Sequence, residues 1–114
     1  MAYFINKFTF LKFARKKVEY SIPSNRDDID LHFPIYYYQV DGFETEYFLI
    51  GNRAINGGFL IPELKTTDFF ILIKGFIDDE DKTSLLENLN EIPEVLAASE
   101  IQPEKLKSVE NLIF

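Results

Sequence analysis

The spacing of apolar residues predicts two main helices. In residues 2–13 a helical stripe is formed by Phe4, Ile5, Phe8 and Leu11. In residues 80–91 a second stripe is formed by Leu85, Leu86 and Leu89, and it continues to Ile92. Acidic residues 78–81 precede this second stripe and favour the positively polarised start of a helix. Pro93 follows it, so we expect the second helix to stop there.

Alternating and continuous apolar runs predict strands between these helices. Residues 16–22 alternate and indicate a short strand, and residues 29–40 are rich in aromatic and β-branched side chains. Pro34 lacks an N–H group, so that second strand is expected at an edge or with a bulge. Asp41-Gly42 precedes another apolar run at residues 45–51, which predicts a hairpin with a type I′ turn.

The second half of the chain predicts a strand, helix, strand unit. The chain reads as strand from Phe59 to Pro62, and residues 69–74 form a nearly continuous apolar run typical of a central strand covered on both faces. Residues 95–101 read as a short strand after the second helix, so the crossover is expected to be right-handed. A final helix is expected around residues 104–108.

These elements predict one α+β domain over residues 1–114. We expect a mainly antiparallel sheet of about five strands, with helices 2–13 and 80–91 packed largely on one face. The order from Phe69 to Ile101 is ferredoxin-like, an architecture that serves many unrelated functions.

Composition excludes several chemistries. The chain has 114 residues with no Cys and a single His, which excludes disulfides, thiolate catalysis, iron–sulfur ligation and a structural zinc finger, so neither a metal nor a cofactor is predicted. The chain shows no signal-peptide pattern and no run approaching 18 apolar residues. We therefore expect a soluble cytoplasmic protein.

Positive charge is concentrated near the start of an acidic chain. The net charge is −7, yet a candidate anion-binding patch is formed by Lys12, Arg15, Lys16 and Lys17. The acidic remainder disfavours nucleic acid, which would have to bind this patch alone. The alternative is that these cations end the first helix, where they complement its carbonyl end and stay solvated.

The aromatic content, twelve Phe and six Tyr, exceeds what a single small core needs and points to an interface. Tyr36-Tyr37-Tyr38 resembles a recognition surface, but in a strand Tyr37 faces away from its two neighbours. The apolar ending Leu112-Ile113-Phe114 is expected to dock on the core or on a partner, and is a candidate interface.

Candidate catalytic groups are few. His32 is the natural general base by pKa, but its neighbours in sequence supply no nucleophile or orienting carboxylate, so a structural role is favoured. The acidic residues 78–81 lack the spacing of a calcium loop and are interpreted as helix caps. Whether Glu63 and Asp68 form an acid–base pair depends on the distance between their carboxyl groups, which the sequence does not give, so this alternative stays open.

The segment from Ile61 to Phe69 resembles a family motif. Ile61-Pro62-Glu63 and Asp68 match the bacterial IPExxxVDY family of uncharacterised proteins, whereas Thr67 and Phe69 replace the Val and Tyr of that motif. The resemblance extends to residues 2–6 and to residues 103–114. It implies no assigned activity, and it implies a further strand before residues 2–6, so this chain would be a shortened version.

The residues of the motif also have a structural interpretation. Pro62 interrupts a strand ladder, while Glu63 and Asp68 can accept hydrogen bonds from exposed loop amides. We favour this structural role over a catalytic one.

Three hypotheses for function remain. The leading one is a non-enzymatic protein-interaction or self-associating module, a homodimer included. The alternative is a small-molecule sensor domain of ferredoxin-like type. The third is a carboxylate-dependent hydrolase, or an RNA-associated protein that uses residues 12–17.

Overall fold

The computed structural model describes residues 1–23, 30–40, 42–101 and 105–112. Two α-helices, six strands and two 3-10 turns lie in these ranges, in the order α1 (Ala2–Phe8), β1 (Ala14–Arg15), β2 (Tyr20–Pro23), β3 (Asp30–Phe33), β4 (Ile35–Gln39), β5 (Glu46–Gly51), a 3-10 turn (Pro62–Leu64), β6 (Phe69–Lys74), α2 (Asp79–Glu91) and a second 3-10 turn (Val109–Leu112). None of the helices described has the length and apolarity needed to cross a lipid bilayer.

Two antiparallel sheets form the β structure. The larger has the order β1-β4-β5-β6, and the smaller pairs β2 with β3. The α+β class and the mainly antiparallel sheet are thus confirmed, although the strands divide into four and two rather than about five in one sheet. β5 is the buried centre, with Leu49 and Ile50 inaccessible to solvent.

The two faces of the large sheet bury different cores. One face packs on β2, β3 and the loop after β5; we call this the hairpin-side core, and its buried members include Phe33, Ile35, Phe48, Ile50 and Phe70. The other face packs on α1 and α2; this helix-side core includes Ile5, Leu11, Tyr47, Leu49 and Leu85. Both helices therefore lie on one face, as predicted.

The tyrosine triplet alternates between these two faces. Tyr37 packs against the hairpin-side core, whereas Tyr36 and Tyr38 pack against the helix-side core. This arrangement follows from the period of two along a strand. The interpretation of the triplet as strand is confirmed.

The first helix is shorter than predicted. α1 ends at Phe8 and not at residue 13, because the Thr9 hydroxyl donates to the Ile5 carbonyl at 2.7 Å and accepts the Leu11 N–H at 3.1 Å. The Asn6 side chain then binds the backbone N–H and C=O of Phe13 at 2.7 and 2.9 Å. These contacts fold residues 9–13 back along α1, so Leu11 reaches the core without helical geometry.

The predicted strand 29–40 is divided at Pro34. β3 pairs with β2 in the small sheet, and β4 pairs with β1 and β5 in the large one. Proline has no N–H to donate to a ladder, so the chain changes sheets at this residue. The predicted strand 16–22 starts only at Tyr20, and residues 14–15 form β1 instead. From Phe59 to Pro62 only an isolated bridge between Phe59 and Arg53 forms.

The predicted hairpin between β4 and β5 is present, but its loop is longer than a two-residue turn. Gln39 pairs with Glu46, and the Phe43 N–H donates to the Val40 carbonyl. Gly42 has a φ of 84°, which favours glycine in that turn. Asp41 lies outside the described residues.

The end of the predicted strand, helix, strand unit differs from expectation. β6 is an edge strand and not a central one, because β5 is its sole neighbour among the described strands. Residues 95–101 form no strand. The ferredoxin-like order is consequently not confirmed. The expected helix at 104–108 falls partly outside the described residues; of the rest, Lys105 has 3-10 conformation, residues 106–108 are not helical, and a 3-10 turn begins at residue 109.

Candidate functional site: the open edge of β6

The hydrogen-bonding groups of β6 divide between a paired side and an open side. The Asn52 N–H donates to the Asp68 carbonyl at 2.8 Å, and this pair continues the register between β5 and β6. Alternate pairs of an antiparallel ladder exchange hydrogen bonds. Phe70 and Leu72 therefore bond to β5, and the N–H and C=O groups of Phe69, Ile71 and Ile73 point the other way. No described residue bonds to those outward groups.

An apolar cleft runs along this open side. We call it the edge cleft; its volume is about 1010 Å³, and its walls are β6, the α2 residues Leu85, Leu86 and Leu89, residues 94–96 and 98–101, and Leu106 with Leu112. The walls come from both faces of the sheet, since Leu89 belongs to the helix-side core and Leu112 to the hairpin-side core. The edge strand consequently lies at the floor of a cleft.

Charge is distributed unevenly along the edge cleft. Lys82 Nζ lies 3.3 Å from a Glu100 carboxylate oxygen, which places Glu100 beside the first turn of α2, near the end of β6. Lys74 ends β6 at the same side. Asp68 directly precedes β6. α2 runs back along β6, so Glu94, which follows the C-terminus of α2, lies toward the same end of the strand as Asp68. The end near Asp68 and Glu94 is therefore acidic, whereas the charge of Lys82 at the other end is balanced by Glu100 and by Asp79, which lies 3.8 Å away.

Residues 94–101 are held against α2 by side chains. The Asn90 amide accepts the Ala98 N–H at 2.8 Å and donates to the Ala98 carbonyl at 3.0 Å. Leu96 is 103% exposed, although leucine normally gains by burial. This wall thus presents an apolar side chain to solvent beside the open strand.

The motif loop that leads into β6 is organised by Asn52, which the sequence reasoning did not single out. Its side chain accepts the Ile61 N–H at 2.8 Å and donates to the carbonyls of Leu64 and Thr67 at 2.8 and 3.0 Å. Asn52 is 1% exposed, so water cannot replace these bonds. A polar residue directly after an apolar strand was the available signal, but its partners are distant in sequence.

Glu63 connects the motif loop to the C-terminal segment. Its two carboxylate oxygens accept the Ser108 N–H and the Ser108 hydroxyl, each at 2.8 Å. Hydrogen bonds from its own backbone N–H and from Ser108 lower the pKa of Glu63 below the ordinary value, although desolvation opposes this. The carboxylate thus accepts a local amide, its own, and also binds Ser108, which is 45 positions away and which the sequence did not suggest.

The other motif residues have separate positions. Ile61 is fully buried and Pro62 begins the 3-10 turn. The expectation that the Asp68 carboxylate would bind loop amides is not met among the described residues, where the backbone carbonyl of Asp68 accepts the Asn52 N–H instead. Phe69 starts β6 and is 42% exposed. Glu63 and Asp68 are not hydrogen-bonded to each other.

The basic segment does not end a helix, because α1 stops before it. Lys12 donates to the Asn6 carbonyl at 2.9 Å, Arg15 lies 3.9 Å from Glu19, and Lys16 lies over the Tyr37 ring at 5.3 Å. Lys17 is exposed. The first three cations have different partners and do not converge on a common point through those contacts.

A serine–histidine contact is present on the small sheet. Ser21 Oγ lies 2.8 Å from His32 Nδ1, because the two residues are partners in the β2–β3 register. Sequence reasoning missed this pair, since 11 residues separate them. A serine nucleophile with a histidine base also needs a group that orients the imidazole and donors for the oxyanion, and no carboxylate of the described residues contacts the ring. The described residues also hold no group of three or more His, Cys, Asp or Glu suited to a metal ion.

The C-terminal segment is anchored to the fold. The Tyr20 hydroxyl donates to the Asn111 carbonyl at 2.6 Å, and the Asn111 amide donates to the Leu60 carbonyl at 2.7 Å. Leu112 packs on the hairpin-side core and also lines the edge cleft, whereas Ile113 and Phe114 lie outside the described residues.

Comparison with protein-family models, curated proteins and solved structures found no match to the chain.

Proposed function

We propose that this chain is a non-enzymatic protein-interaction module whose binding surface is the edge cleft. The observation that carries the proposal is the row of outward N–H and C=O groups of Phe69, Ile71 and Ile73 on the floor of an apolar cleft. An open strand edge is a template for pairing with another chain, and folded proteins usually cover or charge it. Here the edge lies between apolar walls, which favour a partner over solvent.

Site-specific photocrosslinking tests this function. A benzophenone amino acid is placed at Leu96, which lines the edge cleft, or at Ile55, which is 61% exposed and lies outside it. In cells that express the protein, we expect discrete polypeptide adducts from position 96 and none from position 55. Equal adducts from both positions, or none from position 96, would contradict the proposal. A second copy of the chain is identified by the mass of the adduct.

A small-molecule binding domain is the second candidate, and the size of the edge cleft favours it. A volume of about 1010 Å³ with mainly apolar walls is at the upper end of the range for ligand pockets. Ligand-observed NMR with a library of apolar fragments tests this function. Intermolecular contacts to Leu85 and Leu89 are expected if it holds, and their absence across the library would remove it.

A further inference from the structure

We infer that the edge cleft takes an extended segment of a partner polypeptide as an additional strand, inserted between β6 and residues 96–101. This inference rests on the proposed function and specifies the partner's conformation and chemistry. Strand addition supplies affinity through main-chain hydrogen bonds and specificity through alternate side chains.

Hydrogen bonding is the first argument. Phe69, Ile71 and Ile73 present N–H and C=O groups outward at every second residue. A partner strand repeats its own donors and acceptors with the same period of two. A segment of five or more residues could therefore satisfy all three outward residues at once, which a compact ligand with few polar groups could not.

The dimensions are the second argument. A six-residue strand is about 20 Å long, adds about 4.8 Å to the width of a sheet and occupies a layer about 10 Å thick, which corresponds to about 950 Å³. The edge cleft has a volume of about 1010 Å³ and follows the whole of β6 from Asp68 to Gly75. One strand of the length of β6 matches this space.

The opposite wall is the third argument. Residues 95–101 have a strand-like sequence but form no strand, and a strand requires a neighbour to satisfy its backbone. The N–H and C=O of Ala98 are bound by Asn90, whereas the backbone groups of Ala97 and Ser99 bond to no described residue. An inserted strand would pair with β6 on one side and give residues 96–101 a neighbour on the other.

Charge complementarity defines the chemistry of the partner. Asp68 and Glu94 lie at one end of the edge cleft, whereas Lys82 at the other end is already paired with Glu100 and Asp79. Opposite charges attract most strongly where the site is partly shielded from water. The matching segment is apolar along its length, with a basic residue at the Asp68 end.

A second copy of this chain fits the edge cleft less well than a single partner strand. Pairing β6 with β6 of another copy would bring α2 and residues 94–101 of both copies to the same face of the joined sheet, beside the symmetry axis. These walls border the open edge, so they would hold two such edges apart. The occupant is therefore a separate extended segment.

A synthetic peptide tests this inference. The probe is Lys-Val-Thr-Val-Val-Val-Thr-Val-Gln with both termini blocked, and its control carries proline at the three central positions, which removes three backbone donors. We expect the probe to bind the full chain with large amide shifts at Phe69, Ile71, Ile73 and residues 96–101. The proline peptide should bind at least tenfold more weakly.

Two variants of one residue isolate the main-chain bond. Phe69→Pro and Phe69→Ala both remove the ring, but only the proline variant removes the outward N–H. Proline is tolerated at the first residue of a strand, and the Phe69 N–H is not bonded to β5, so both variants are expected to fold. Loss of one hydrogen bond predicts a Kd for the probe roughly five- to tenfold higher in Phe69→Pro than in Phe69→Ala.

Equal affinity of the probe and proline peptides, equal affinity of the two variants, or a bound probe that leaves the β6 amides unshifted would overturn strand insertion. Dimerisation through β6 would also overturn it; sedimentation would then detect a dimer of the wild type and of Phe69→Ala but not of Phe69→Pro. Partner adducts from position 96 in cells together with any of these results would leave the protein-interaction function standing and remove the inserted strand. Absence of those adducts would instead remove the function itself.

Discussion

The side-chain amide nitrogen of Asn52 lies 2.8 Å from the carbonyl oxygen of Leu64. This bond crosses the motif loop from the end of β5 to the end of the 3-10 turn, and the same amide also reaches Thr67. The loop delivers the chain to Phe69, where β6 starts. The position of the open edge therefore depends on one buried polar side chain.

Replacing Asn52 by Leu should destabilise the protein strongly. The substitution keeps a similar volume but leaves the Ile61 N–H and the Thr67 carbonyl without their partner, which costs about 3 kcal/mol in the free energy of unfolding. Urea denaturation measures this. Asn56→Leu is the control, because Asn56 is exposed and water can replace its two bonds, and a loss of about 1 kcal/mol or less is expected. Similar losses for both would contradict the role of Asn52.

The role of Asn52 shows where sequence reasoning stops. The alternation of apolar residues correctly assigned Tyr36 and Tyr38 to one face and Tyr37 to the other, since a strand's period is local. The partners of Asn52 lie 9 to 15 residues away, and the partner of Glu63 lies 45 residues away. Such contacts are set by the tertiary fold, and no local pattern encodes them. The family resemblance stays a prediction.

Replacing Gly58 by Ala should destabilise the turn before the motif loop. Gly58 has a φ of +94°, and an added Cβ would lie 3.0 Å from a methyl carbon of Leu31. Backbone strain and this contact together cost about 2 kcal/mol. Gly57→Ala is the matched control, since Gly57 has a φ of +87° with open space around it and should cost only the strain, about 1 kcal/mol. Thermal unfolding of both variants measures the difference.

Adding Leu31→Ala should remove the extra cost of Gly58→Ala. Truncating Leu31 deletes the methyl groups that the new Cβ meets, so in that background the two glycine variants should lose equal stability. A persistent difference of 1 kcal/mol between them would show that contact with Leu31 is not its cause.

Glu63 should make stability depend on pH. Its pKa is lowered in the folded state from an ordinary value of 4.5, so the ionised carboxylate is the form that favours folding. Its contribution is fully present above pH 4.5 and is lost as the pH falls through the lowered folded-state pKa. Wild type should therefore exceed Glu63→Gln in stability at pH 7, and the gap should close in acid.

Ser108→Ala provides the matching test of that pH dependence. The substitution removes the hydroxyl that donates to Glu63. In the Ser108→Ala background, the loss of stability caused by Glu63→Gln should therefore be smaller than in wild type across the whole pH range. Urea unfolding at several pH values measures both. A gap that widens as the pH falls has the wrong sign for a lowered pKa.

Thr9→Val should test why α1 ends early. The hydroxyl of Thr9 bonds to Ile5 and Leu11, and valine would leave the buried Leu11 N–H without its acceptor, at a cost of about 2 kcal/mol. Faster amide exchange at Leu11 is expected as well. Thr66→Val, at an exposed loop position, should change stability by less than about 0.5 kcal/mol. Unchanged exchange at Leu11 would contradict this explanation.

The error over β6 has a physical cause. A run of five apolar residues, 69–73, is typical of a strand covered on both faces, and both faces of β6 do meet a core. Coverage of the faces says nothing about pairing at the edges, which depends on other strands. Residues 95–101 have the composition of a strand but no adjacent one. Side-chain pattern thus predicted the layers and missed the edge.

Amide hydrogen exchange along β6 tests the open edge most directly. The account predicts that the N–H groups of Phe69, Ile71 and Ile73 in the isolated protein exchange at least tenfold faster than those of Phe70 and Leu72, which donate to β5. Binding of the nine-residue probe peptide should slow the first three and leave the other two unchanged. Uniform protection of all five amides in the isolated protein would contradict the open edge and the binding function built on it.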